Sequence, residues 1–174
     1  MQGKHIAPYQ IIFKSVYINF IPELLHSNTD QFVYEQKETI LVRKTGNILM
    51  ASLDSEQYYT DQSLYNLYLK PNKWYSNKVL LAILNSKLLN YYYNKKLITN
   101  ADVFPYIKGV HLKMFPLPHL SDGIESELSD LVDSIIQHKK QNIDTSVICN
   151  NIDALVYQLY GLTDAEIKII EQSI

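Results

Sequence analysis

The side chains of this chain with chemistry to offer are carboxylates, five histidines, one cysteine, an uneven scatter of cations and an excess of tyrosine. Two acidic spacings come nearest to a catalytic centre. Asp30 with Glu35-Gln36-Lys37, and Asp153 with Glu166-Ile167-Lys168, share the Asp…Glu-x-Lys order of metal-dependent nucleases, a spacing common by chance. His5, His26, His111, His119 and His138 include no pair four apart and have no cysteine nearby, so no metal site is expected. Phosphate-binding glycine loops and a GxSxG nucleophile elbow are absent. No catalytic residue is therefore assigned, and function must come from a binding surface.

Binding chemistry is present. Tyrosine occurs 14 times in 174 residues. Aromatic rings interleaved with cations can stack on bases and sugars while the cations hold phosphates. Tyr58-Tyr59 falls in an expected loop and is equally compatible with stacking or packing. The triplet Tyr91-Tyr92-Tyr93 ends a buried helix, where Tyr91 and Tyr92 more naturally fill core with their hydroxyls at its edge. Arg43 and Lys44 stand immediately before Thr45-Gly46-Asn47. Arginine can read guanine with two hydrogen bonds, and it can equally be a solvated strand-end cation.

These residues need elements to position them. Thr39–Lys44 reads as a strand, Thr45-Gly46-Asn47 as the residues of a tight turn, and Ile48–Leu53 as the returning strand. Ser63–Leu69 gives a third strand, so residues 39–70 read as a meander. Alternation at Tyr9, Ile11, Phe13 and again at Val16, Ile18, Phe20 suggests earlier extended segments, and Pro22–His26 a helical turn. Ser27–Asp30 and Pro71–Lys73 carry loop chemistry. Ser76 or Asn77 can cap one buried helix running to about Lys95, with Leu80, Leu84, Leu88 and Tyr91 on one stripe and Lys87, Lys95 and Lys96 toward solvent. A polar pair, Asn85-Ser86, interrupts its apolar character. Prolines at 105, 116 and 118 keep residues 97–118 extended. Amphipathic helices follow at 122–141 and 147–160, with Gly161 after the second, and Thr163-Asp164-Ala165-Glu166 forms a capping box opening a last short helix. The expected fold is α+β: a small antiparallel or mixed sheet packed on a buried helix, then a C-terminal helical hairpin and a short helix. The Pro116/Pro118 pair divides it into residues 1–118, comprising a leading segment 1–38 and a sheet-and-helix unit 39–118, and a helical region 119–174.

Charge follows the same division. Residues 1–118 hold 13 Lys/Arg against 8 Asp/Glu, and residues 119–174 hold 3 against 10. A basic working part and an acidic helical tail are one reading, and solvated helices that simply carry Glu and Asp are the equal alternative. The longest apolar run, Val79–Leu84, is far shorter than a membrane span. The single cysteine, Cys149, excludes an internal disulfide, suits a reducing cytoplasm, and lies on an apolar helix face as a small buried side chain.

Several stretches together resemble the TaqI-like C-terminal specificity domain. They are Ile40-Leu41-Val42-Arg43-Lys44, the Leu49–Asp54 strand, Tyr58-Tyr59 with Ser63-Leu64-Tyr65, Leu81-Ala82-Ile83-Leu84-Asn85-Ser86-Lys87-Leu88-Leu89 with Tyr92, and Leu112–Pro118. The opening Gly3-Lys4-His5-Ile6…Tyr9 is similar to the segment that introduces this domain in fused restriction–modification enzymes, with His5 where an acid is expected. Ile152-Asp153…Tyr160-Gly161-Leu162-Thr163 is similar to the C-terminus of the same enzymes.

The resemblance implies a double-stranded DNA target recognition domain of a type II restriction–modification enzyme, an adenine-N6 DNA methyltransferase that in some cases also carries an endonuclease. It implies a non-enzymatic fragment whose partner is an N-terminal methyltransferase domain. The Asn-Pro-Pro-Tyr motif and a glycine-rich S-adenosylmethionine site are absent here. No cofactor is expected on this fragment; S-adenosylmethionine, and magnesium if the parent chain cuts DNA, are expected on the missing domains. Lys44, Lys95, Lys96, Lys108 and Lys113 are the expected phosphate contacts. Arg43, Asn47, Tyr58 and Tyr59 are the candidate base readers. The alternative is a scaffold that docks its C-terminal helices on a partner and touches no DNA.

Overall fold

The structure is a computed structural model and describes residues 1–13, 17–25, 29–70, 75–120 and 122–173. Val16, His26, Ser27, Asn28 and the expected turn at Pro71–Lys73 lie outside the described residues.

Three strands form the central sheet: β3 (Thr39–Arg43), β4 (Ala51–Asp54) and β5 (Leu64–Leu67). Ahead of them lie a minimal hairpin, β1 (Ile6–Ala7) with β2 (Gln10–Ile11), and a single helical turn, α1 (Gln31–Tyr34). The extended segment expected beyond Phe13 carries no strand among residues 17–20. The strand order is β4-β3-β5, with both pairings antiparallel. The expected meander is therefore corrected: β5 pairs with β3, not with β4. The burial of β3 gives the reason. Thr39, Ile40, Leu41 and Val42 are all buried, so this strand needs cover on both faces and a neighbour on both edges. Ile40 and Val42 face the helices, while Leu41 packs with Leu64, Ile6 and Met1 in a smaller cluster beneath the N-terminal segment.

The single expected helix is two. α2 (Asn77–Asn85) stops at Ser86, whose backbone is extended (φ −66°, ψ 155°), and α3 (Lys87–Tyr92) restarts there before one wide π turn, Tyr93–Leu97. Ser86 serves both ends. Its Oγ donates to Ile83 O (2.8 Å) and accepts from Leu89 N (3.2 Å). Ser76 caps the start of α2, and its Oγ also lies 3.3 Å from Ser129 Oγ. The polar pair is thus the break between helices, not a packing detail within one.

A four-residue turn, α4 (Gly109–Leu112), interrupts the otherwise extended 97–118 stretch. Then come α5 (Asp122–Lys140), α6 (Ser146–Leu159) and α7 (Asp164–Glu171). Gly161 takes the positive φ (+63°) of a helix C-terminus, and the Thr163–Glu166 capping box forms. Leu128, Val132 and Ile135 of α5 and Ile152 and Val156 of α6 are buried in the same core as Ile40, Val42 and Leu81–Leu84. The apolar faces that a docking scaffold would offer are thus already covered by the chain's own sheet and helices.

The acidic tail also has a local role. Lys78 pairs with Asp133 (2.6 Å), and Lys87 with Glu171 (2.9 Å) and Asp153 (3.8 Å). Lys87 is therefore half-buried and clasped, not free in solvent as its helical position suggests. Asp153 Oδ1 accepts the Lys87 backbone N–H (2.8 Å), while burial pushes its carboxyl up to about 6. An acid with a raised folded pKa favours folding fully below its unfolded value and loses that contribution as pH rises through the folded value. Asp153→Asn removes the titration and keeps an acceptor for Lys87. Between about pH 4 and pH 7 its unfolding free energy should gain on wild type by about 2 kcal/mol in urea titrations. A pH-independent difference would refute the assignment.

Candidate nucleic-acid interface

The β3–β4 connection is held by hydrogen bonds from two sides. Arg43 N donates to Met50 O (3.0 Å), so the turn proper covers Lys44–Leu49, longer than a two-residue hairpin, and Ile48 is exposed rather than part of the returning strand. Gly46 sits at φ +129°, open to glycine alone at little cost. On one side the broken helix grips this backbone through side chains. Tyr93 Oη donates to Gly46 O (2.7 Å). Asn90 Oδ1 accepts from Leu49 N (2.7 Å). Asn85 takes both groups of Ala51, accepting from N (2.9 Å) and donating to O (3.0 Å). These three side chains do for residues 46–51 what a neighbouring strand would do.

On the other side, Gly46 N donates to Pro105 O (2.9 Å), Ile107 N donates to Lys44 O (2.9 Å), and Tyr106 bridges Thr45 and Thr99. The turn is clamped between the helix end and the 98–107 segment, with Asn47 and Ile48 left facing outward and exposed. Sequence reading missed Asn85, Asn90 and Tyr93 as positioning residues. Their signal is a line of polar side chains along an otherwise apolar helix. Within the triplet, Tyr93, 1% exposed, is the fully buried ring, while Tyr91 and Tyr92 are half-buried and Tyr92 packs against the core as expected.

The nine candidate residues fall into two places. Lys44 and Asn47 belong to the clamped turn. Lys95 and Lys96 are exposed on the π turn whose first residue, Tyr93, holds Gly46, and Lys95 Nζ lies 5.8 Å from the Tyr91 ring centroid. Lys108 and Lys113 are exposed at the two ends of α4, directly after the segment that pairs with the turn. Among the described residues no ion pair engages Lys95, Lys96, Lys108 or Lys113, whereas Lys78 and Lys87 are held by acidic helices.

Lys44 is less free. Its ammonium lies 4.3 Å from the centre of the Tyr65 ring, and burial lowers its pKa. Arg43 is half-buried with its stem against Gly3, where an added Cβ would lie 3.3 Å from Arg43 Cγ. Its Nη1 contacts Met50 Sδ (3.7 Å), and its buried Nε has no partner among the described residues.

Tyr58 and Tyr59 sit apart from this group. Tyr58 is 5.0 Å from Phe13, and Tyr59 stacks on Phe20 at 4.1 Å and touches Tyr34 at 4.6 Å. Both help hold the N-terminal segment over the sheet, though Tyr59 remains 39% exposed.

The acid spacings are occupied structurally. Asp30 caps α1 by accepting from Phe32 N (3.1 Å), Asp153 holds Lys87, and Glu166 closes its capping box. Among the described residues no group of three His, Cys, Asp or Glu is placed to hold a metal ion. Among the described residues no helix is long and apolar enough to cross a membrane.

The turn is thus fixed on both sides and, among the described residues, neighboured in sequence and contact by lysines outside ion pairs. Residues 1–117 match the TaqI-like C-terminal specificity domain. The chain belongs to this family. Domains of the family recognise DNA in restriction–modification systems and are not themselves catalytic. The match takes in all of the clamped turn, the broken helix and α4 of this specificity domain. No curated protein sequence matches the chain.

Proposed function

We propose that this specificity domain is the target-recognition part of an adenine-N6 DNA methyltransferase of a type II restriction–modification system, with or without a fused endonuclease. It reads duplex DNA with the exposed Asn47–Ile48 part of the Lys44–Leu49 turn. Lys95, Lys96, Lys108 and Lys113 neutralise phosphates on either side, and Asn47 meets base edges. Arg43 and Lys44 support the turn from behind, and Tyr58 and Tyr59 keep the N-terminal segment in place. Methyl transfer belongs to an N-terminal domain of the parent chain, which would hold S-adenosylmethionine; the sequence here has no glycine-rich loop for it.

One observation carries the reading. Four exposed lysines, outside any ion pair among the described residues, lie on or beside the two segments that fix the turn's backbone. Fluorescence anisotropy of a labelled mixed-sequence duplex tests it. Affinity should fall steeply from about 50 to 200 mM salt, as expected when several phosphates are contacted. Folded protein that binds no duplex at about 50 mM salt would sink the proposal.

A further inference from the structure

The segment that clamps the turn ends in an apolar tip with no cover. Thr99 and Tyr106 exchange backbone hydrogen bonds at 3.0 and 3.1 Å, closing a small hairpin over residues 100–105. Asn100, at φ +55°, accepts from Val103 N (3.3 Å) and Phe104 N (3.1 Å), which makes the tip compact. Its base is fastened to the recognition turn by Gly46 and Ile107. At its apex Val103 is 82% exposed and Phe104 61% exposed. Neither side chain belongs to either core cluster of the fold.

Charge says what covers them. Residues 91–118 contain four lysines and a single acid, Asp102, which lies in the tip itself. Lys95 and Lys96 precede the hairpin, Lys108 follows it, and all are exposed. An apolar wedge set among unpaired cations suits a polyanion whose interior is apolar and stacked: duplex DNA. We infer that Phe104, backed by Val103, inserts between base steps of the bound duplex and unstacks them while the adjacent turn reads base edges. This rests on the DNA-binding reading above.

The test uses the full 174-residue chain, a mixed-sequence duplex carrying 2-aminopurine at successive positions, and the same duplex with an end-to-end fluorophore pair. Insertion should raise 2-aminopurine emission at one or two steps and shorten the end-to-end distance on binding. Phe104→Ala should abolish both signals and weaken binding about tenfold at fixed salt, within the range measured for removing one stacked ring. It should leave the salt slope unchanged, because no phosphate contact is lost. Phe104→Met should keep most of the bend, since unbranched apolar side chains also act as wedges. Phe104 is exposed, so circular dichroism and melting should not change. If Phe104→Ala binds and perturbs the duplex as wild type does, the wedge is overturned while DNA binding stands, and the tip is then a protein-facing surface. If wild type binds no duplex, both readings fall together.

Discussion

Asn90→Leu is expected to lower the unfolding free energy by about 2–3 kcal/mol, because the buried Leu49 N–H loses its acceptor and keeps its desolvation. The position is 7% exposed, so water cannot easily replace the amide. The same side chain also donates to Ser86 O (3.1 Å), at the start of α3. One residue thus joins the helix break to the recognition turn. A loss of this size is a large fraction of the stability of an ordinary domain. Amide exchange should show where it falls. Leu49 and Gly46 should exchange faster while the central amides of α5 and α6 keep their protection, since the damage is local to the clamp. Uniform loss of protection would show that Asn90 supports the whole core and not the turn in particular.

The consequence for DNA follows from the same geometry. Asn90 sits behind the turn, so the variant should bind duplex more weakly with the salt slope intact. Lost affinity with an unchanged slope marks a residue that positions the reader without touching phosphate. Asn85→Ala should act in the same sense, because Asn85 satisfies both backbone groups of Ala51, two residues beyond the turn.

How far the sequence discloses this arrangement varies by element. The α5–α7 helices are legible because caps and periodicity agree: the Thr163–Glu166 box and Gly161 mark boundaries by local chemistry, which distant packing does not alter. Strand β3 and Gly46 are legible for the same reason. Strand order is not, because nothing local says which edge of β3 the chain returns to. The clue was the unbroken Ile40-Leu41-Val42, whose lack of alternation marks a strand buried on both faces and hence central. The break at Ser86 hid for a subtler reason. Serine caps a helix and ends one with the same hydroxyl, and the apolar period on either side, Leu81–Leu84 and Leu88–Leu89, keeps running as though nothing intervened. The candidate lysines could be named but not grouped. Only pairing through Tyr106 and Pro105 brings residues about 60 apart in sequence to one end of the sheet.

Replacing Lys95, Lys96, Lys108 and Lys113 together with alanine should have the largest effect on binding. If each touches one phosphate, the slope of log affinity against log salt should flatten by about 3–4. Binding curves with different slopes converge near 1 M salt. Extrapolating back to about 0.15 M, the variant should therefore bind about three orders of magnitude more weakly. Folding should barely change, since all four side chains are exposed and outside the ion pairs that hold α2 and α3 to the acidic helices. Lys168→Ala on α7, a similarly exposed lysine of the acidic tail, is the control and should leave the slope alone. Asn47→Ala supplies the opposite signature: an unchanged slope, with discrimination between preferred and mixed sequences reduced by about 1–3 kcal/mol. The two variants together separate how strongly the domain holds DNA from which DNA it prefers. If the four lysines and Lys168 prove equivalent, the basic face has no special alignment with the turn, and the phosphate contacts must lie elsewhere on the domain.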